Sequence, residues 1–417
     1  MPSRLDRLDR LDRLDRLAAD ERDHPTPEFI AGLATRFPTD PDLEVALERK
    51  LQHRADGPWQ PVSVAELSAC LDRMLTDAIG TDFTVSGQRW FTGGASKMQL
   101  GFVLDWRGPS AGERRRDAMI LRMDPSEPLN ATSKSREFDI VKAVAGVVPV
   151  PTPFWVDADG DWFPGPSVIY GIVPGVTKPA TSQSGRVVGL GTNFGPQLRP
   201  VLAQQFVDNL AAIHACDVDG IGLGGMTAPT VETNENALWR LNYERRVWEE
   251  DRGEECPVLD LAAAWLERNA PTLDRVSVVH GDYRSGNFLF DESSGRITGW
   301  LDWELSHLGD RHSDLAWCIQ PLFGHQDESG RSFLASGLLP TDELLARYED
   351  ASGLSVDPVR LDWYRVLICY SMMVKTVAST YRIARLGRSH QDVLLARLEG
   401  SRSVIELELV NQLQRVM

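Results

Sequence analysis

The sequence predicts an α+β chain, with a small β-rich unit followed by a larger α-rich unit and a helical extension in front. Three observations carry this. From Phe83 the residues fall into short strand-like pieces separated by turn residues, and from Leu202 apolar residues recur at helical spacing. One hairpin, Val278 to Leu301, interrupts the helical half. The 417 residues are enough for two or three units with substantial cores, placed at 1–80, 81–173 and 174–417.

Taken in order, Arg4 to Leu17 repeats Arg-Leu-Asp with a period of three. On a helix that period rotates the leucines by about 60° per repeat, so they share no single face and the segment reads as a solvated, dispensable arm. Asp42 to Arg54 and Val64 to Ile79 have the apolar spacing of helices. WFTGGASKMQLGFVLDW (90–106), a turn at Arg107 to Asp117 and AMILRMD (118–124) predict two strands around a turn, with a helix over Ser135 to Ala145 behind them. VVPVPTPFWVD (147–157) and PSVIYGIVPG (166–175) supply the last strands and the connection to the α-rich unit. GLGTNFG (189–195) is not a dinucleotide loop: its glycine spacing is wrong, and Pro196 follows where a helix should open.

Composition excludes several classes. With 42% hydrophobic and 25% charged residues, the chain reads as an ordinary soluble globular protein. No apolar run reaches the ~18 residues of a membrane span; Trp363 to Ala378 is broken by Arg365 and Lys375. The N-terminus lacks the apolar core of a secretory signal, and the five dispersed cysteines include no C-x-x-C pair, so a reduced, cytoplasmic protein is expected. A net charge of −16 argues against a nucleic-acid partner and would suit a cationic substrate, although it also serves solubility. The acid-rich piece Glu249 to Glu255 reads as a solvated helix end before it reads as a docking surface, with Trp239, Tyr243 and Trp248 as core or pocket wall. Arg240, Arg245 and Arg246 are the neighbouring basic residues an anionic acceptor would need.

The chemistry concentrates in VVHGDYRSGNFLF (278–290) and RITGWLDWELSHLGD (296–310). Asp282 precedes the amide Asn287 by five residues on a short polar loop between apolar segments, and Asp302 ends the apolar run across the hairpin. Two acids and an amide converging from adjacent strands can hold Mg²⁺ on a nucleotide's phosphates and leave one acid to orient a hydroxyl. Each residue alone has an ordinary alternative: a loop acid capping its turn, a turn amide, a helix cap. The three in register favour a phosphoryl-transfer site, with Asp282 as base and Asn287 and Asp302 as metal ligands.

At these residues the chain resembles the aminoglycoside phosphotransferase and choline kinase superfamily. His280, Asp282 and Asn287 match its H-x-D-x-x-x-x-N loop, and Asp302 falls at its second metal-binding Asp. The wording LDWELSHLGD then SDLAW looks most like a subgroup that includes kinase domains fused to some acyl-CoA dehydrogenases. The resemblance runs from about Phe83 to the C-terminus. It implies a two-lobed protein-kinase-like fold, ATP and Mg²⁺ as cofactors, and a small-molecule hydroxyl as acceptor. It also implies a bracing role for His280, an organising role for Asp310 and Asp314 in which the Asp of SDLAW ties the loop's backbone amides, and a phosphate loop at TGGAS with Gly93, Gly94 and Ser96. Arg122 stands where such proteins carry a phosphate-binding Lys, facing Glu137 of the next helix, and adenine is expected against Tyr170 to Ile172. Arg can bind phosphate in a bidentate manner but is not an interchangeable donor. Only eleven residues separate Asp302 from Asp314, too few for a peptide-holding activation segment. The expected acceptor is a hydroxyacyl-CoA or related metabolite. An aminoglycoside is the alternative, and a catalytically silent nucleotide-binding regulator is a third reading.

Overall fold

The computed structural model describes residues 21–56, 60–91, 96–108, 113–180, 191–385 and 399–417. The Arg-Leu-Asp repeat, Gly93 and Gly94 lie outside the described residues.

Two helices lead. Helix α1 spans Pro27–Arg36 and α2 spans Pro41–Ala55, where Asp40 caps the Asp42 N–H at 2.9 Å and Pro41 presets the first turn. Helix α3, Val64–Ile79, begins at a reciprocal capping box between Ser63 and Glu66. Five antiparallel strands follow in the spatial order β1-β2-β3-β5-β4: β1 Phe83–Trp90, β2 Met98–Arg107, β3 Arg114–Met123, β4 Pro153–Asp157 and β5 Ser167–Gly171. Helix α4, Lys134–Val144, lies between β3 and β4 in sequence.

The segment expected as one N-terminal extension divides between two cores. Leu67, Leu71 and Leu75 of α3 pack with Leu100, Phe102, Leu121 and Ile169 of the sheet, so α3 belongs to the small lobe. Leu43 and Leu47 of α2 instead join the large core, beside Val144, Phe206, Leu241 and Trp300. The large lobe comprises α5 Gly195–Ala215, α6 Glu235–Asp251, α7 Pro257–Arg268, three short strand pairs, α8 His312–Cys318, α9 Thr341–Ser352, α10 Pro358–Val374, a π-helical turn Lys375–Ser379, α11 Thr380–Arg385 and α12 Arg402–Val416. The expectation at Pro196 is corrected: a helix does open there, because a proline in the first turn leaves no intrahelical bond unmade.

The acid-rich piece Glu249 to Glu255 is solvated as expected only in part: Glu254 and Glu255 are exposed, but the end of α6 is not. Glu250 and Asp251 are fully buried. Lys50 of α2 meets Asp251 at 2.9 Å and Glu250 at 3.4 Å. Arg54 bonds Asp251 at 2.7 Å and also Glu127, in the loop that follows β3. Ser379 of the π-helical turn donates to Asp251 at 2.6 Å. Nearby, the Tyr243 hydroxyl of α6 accepts from the Ala131 N–H at 3.1 Å and lies 3.2 Å from the Ala131 carbonyl. Helix α2 therefore ties the loop after β3 to α6 through buried charge, and Tyr243 repeats the connection with neutral bonds.

Candidate active site

The loop between β6, Ser277–Val279, and β7, Phe288–Asp291, is fixed by its own backbone. Gly281 has φ +84°, and a Cβ there would stand 2.5 Å from the Leu305 carbonyl, so any side chain would force the two segments apart. Leu301, after β8 (Arg296–Trp300), is held twice: its N–H donates to the Asn287 carbonyl at 2.7 Å, and its carbonyl takes the His280 ring at 3.0 Å. Those two bonds seat Asp302 next to the loop. Asp302 has a left-handed backbone, φ 65°, at the entry to the tight turn Trp303–Leu305, a conformation Asp tolerates better than most residues.

His280 braces the loop. Its Nδ1 accepts the Asp282 N–H at 3.2 Å, which leaves the proton on Nε2 for Leu301. Burial lowers its pKa and keeps the ring neutral. Tyr283 stacks on Trp300 at 3.9 Å and donates its hydroxyl to the Phe206 carbonyl at 2.6 Å, anchoring the loop to α5.

Asp314 of α8 lies beneath. Its two carboxylate oxygens accept the N–H groups of His280 at 2.7 Å and Gly281 at 2.8 Å, the contact the resemblance implied. His214 of α5 adds a third bond at 3.2 Å and is itself bonded to the Tyr348 hydroxyl at 2.9 Å. Asp310 faces away from the loop: it accepts from the His312 ring at 2.7 Å and lies 3.5 Å from Arg360. Its expected support of the loop is therefore indirect, through the start of α8.

Asp282 accepts Trp317 Nε1 at 2.6 Å and Arg284 Nε at 2.8 Å, both on Oδ1. The Asn287 amide donates to the Asp282 carbonyl at 2.9 Å, so its side-chain oxygen takes no part in that bond. Burial raises the Asp282 pKa, Arg284 opposes the rise, and the Asp302 charge adds to it. Asp302 moves the other way: burial would raise it, but Arg122 holds it below the ordinary carboxylate range.

The sheet brings further charge to the same place. Arg122, on β3 opposite Gln99, pairs with Asp302 and lies 3.7 Å from Glu137 of α4. Tyr170 donates its hydroxyl to Glu137 at 3.2 Å, so its side chain backs the Arg122 pair. Ser96 reaches Glu304 at 3.4 Å. Ile172 donates its N–H to the Ala118 carbonyl at 2.8 Å, which leaves only its carbonyl for a base. Lys97 was not anticipated. It is fully buried between Asp124 at 2.7 Å and Glu304 at 3.0 Å, while Lys134 joins Asp124 at 3.1 Å to Glu137 at 2.9 Å.

Among the described residues, no group of three or more His, Cys, Asp or Glu side chains is arranged to hold a metal. Asn287 and Asp302 offer two hard oxygen donors, a set that suits Mg²⁺ completed by phosphate and water. No helix of the described residues is long and apolar enough to cross a membrane.

The chain is similar to several known proteins. Acyl-CoA dehydrogenase family member 11 of Gallus gallus is 28% identical over 267 residues, covering 61% of this chain and 33% of the relative. The probable acyl-CoA dehydrogenase IBR3 of Arabidopsis thaliana is 29% identical over 258 residues, covering 56% of this chain and 29% of the relative. The chain thus spans about a third of the length of these curated relatives. The solved structure of a candidate aminoglycoside phosphotransferase from Ralstonia eutropha JMP134 superposes with a TM-score of 0.60 at 19% identity, covering 84% of this chain and 98% of that one, so the two-lobed kinase-like fold is shared. The model of the phosphotransferase enzyme family, APH, matches residues 110–364, more than half of the chain, and the chain belongs to that family.

Proposed function

We propose that this protein transfers the γ-phosphoryl group of ATP to a hydroxyl of a small molecule, with Asp282 as the base that orients and accepts the hydroxyl proton. The observation that carries the reading is the convergence of Asp282 and Asn287, on a loop whose backbone is tied down by Asp314, with Asp302 seated beside them by the Leu301 bonds. Mg²⁺, held by the Asn287 and Asp302 oxygens, would neutralise charge on the phosphates. The chain's own contribution is placement: Asp282 keeps Oδ2 clear of both side-chain donors, and Arg122 stands within reach of the metal-facing carboxylate. Once a phosphate competes for it, Arg122 can exchange Asp302 for the nucleotide while Glu137, itself bonded by Tyr170, holds its other side. The base of the nucleotide would lie against the Tyr170–Ile172 backbone, using the Ile172 carbonyl. Gly93, Gly94 and Ser96 complete the proposed phosphate loop.

A hydroxyacyl-CoA or related metabolite is the preferred acceptor, and an aminoglycoside is the second reading. Charge favours the first. Glu249 pairs with Arg252 at 3.2 Å, Glu250 and Asp251 are buried against Lys50, Glu254 pairs with Arg402, and Glu255 pairs with Arg252 at 2.6 Å. Glu249, Glu250 and Asp251 are thus already committed, whereas Glu254 and Glu255 remain exposed in surface pairs, so the acids open to a polycation are few. The basic residues are partly committed too: Arg246 is buried with Glu44 and Glu250, and Arg245 meets Glu267 at 2.8 Å, whereas Arg240 lies over the Tyr243 ring at 5.8 Å. The test is ATP consumption screened against hydroxyacyl-CoAs, aminoglycosides and choline-like alcohols, with Asp282→Asn as control. Turnover by an aminoglycoside alone would overturn the preferred acceptor, and tight Mg²⁺-ATP binding with no turnover on any hydroxyl would leave the silent regulator.

A further inference from the structure

Asp314 and Trp317 lie three residues apart on α8, so they project from the same face of a helix only seven residues long. That face touches the catalytic loop at two levels. Asp314 takes the backbone N–H groups of His280 and Gly281 at 2.7 and 2.8 Å. One turn on, the Trp317 indole N–H reaches past the backbone to the Asp282 side chain, at 2.6 Å on Oδ1. The backbone and the side chain of the loop acid are thereby referred to one rigid element.

We propose that Trp317 is the positioning residue for Asp282, setting which carboxylate oxygen faces the acceptor. The proposal rests on the reading of Asp282 as the acceptor-facing base. Arg284 Nε occupies the same oxygen at 2.8 Å, so these two donors converge on Oδ1, the Asn287 amide adds a further hydrogen-bonding interaction with the carboxylate, and Oδ2 is the oxygen assigned to a hydroxyl. Neither donor is loose. The Trp317 ring packs on Phe323 with centroids 5.2 Å apart, and the Arg284 guanidinium lies over that same Phe323 ring at 5.1 Å. Phe323 thus fixes both donors, and a carboxylate whose terminal torsion is intrinsically broad is confined to one orientation. Arg284 Nε is the fourth atom of a side chain that springs from the loop it steadies, whereas Trp317 belongs to α8. The indole therefore transmits the helix's position to the carboxylate, while Arg284 follows the loop.

The decisive variants keep the ring and remove the donor: Trp317→Phe, and Trp317 replaced by 3-benzothienylalanine, which matches the indole in size with sulfur in place of N–H. Crystal structures of both should show the Asp282 carboxylate turned from its wild-type orientation. With Mg²⁺-ATP and water as the phosphoryl acceptor, kcat should fall by about tenfold to hundredfold, the scale of a misplaced reacting group, while KM for ATP stays within about twofold. A carboxylate that keeps its orientation, or a kcat equal to wild type, overturns the proposal. The benzothienyl variant keeps the test open if Trp317→Phe folds poorly. If Asp282→Asn hydrolyses ATP as fast as wild type, the reading of Asp282 as base falls, and the carboxylate orientation in the two crystal structures still decides what Trp317 does.

Discussion

Two regions of this molecule spend buried charge differently. Around Asp282 the charged groups come from a short stretch, 280–317, plus the central strand β3, and Asp282 and Asp302 keep part of their side chains exposed. Around Asp251 the charges come from residues some 200 positions apart, Lys50 and Arg54 against Glu250 and Asp251, and are closed off from solvent. The first arrangement leaves capacity for a substrate. The second pairs its charges with one another away from solvent, joining α2, the loop after β3 and α6. Burial of a carboxylate is therefore no sign of function by itself; what distinguishes the loop is that Asp282 and Asp302 stay partly open to solvent.

Substitutions can separate the two regions. The largest effect is expected at Asp282→Asn: phosphoryl transfer should fall by about 10²-fold or more, while the melting temperature and Mg²⁺-ATP affinity change little. Comparable size but opposite character is expected at Arg54→Met. It leaves Asp251 and Glu127 buried without their shared cation, so urea unfolding should show a loss of about 3–5 kcal/mol, with activity per folded molecule retained. If Arg54→Met lost activity without losing stability, α2 would belong to the catalytic machinery and the comparison would fail. Tyr243→Phe removes one hydroxyl between α6 and Ala131 and should cost about 0.5–1.5 kcal/mol, read from the same unfolding curves. The smallest effect is expected on removing residues 1–17, with activity and melting temperature nearly unchanged; a shift of several degrees would show that the repeat docks.

Legibility follows the same division. Asp282, Asn287 and Asp302 could be found in the sequence because a loop and one hairpin hold them within twenty-one positions, and His280 and Asp314 followed from the same wording. Trp317 had a signal that went unused, its three-residue spacing from Asp314 on a helix. Lys97 and Glu304 had weaker ones, since each stands one or two residues from a named site residue. His214 had none: it ends an apolar helix, and its bond to Asp314 crosses 100 residues. The acids at the end of α6 misled because a run of Glu and Asp reads as solvated unless its cations are known, and here they come from α2.

The sequence by itself determined the order of strands and helices, the small lobe before the large one, and the contiguous loop that carries the acid, amide and histidine. Period, turn residues and short motifs are local properties, and local backbone preference suffices to express them. Only the tertiary structure decided which charges are matched, which carboxylate oxygens stay unengaged, that α2 and α3 serve different cores, and that an indole from α8 holds the carboxylate of Asp282. Those outcomes depend on desolvation and on distances between residues far apart in the chain, and the cost of burying a charge is set by partners that no local pattern names.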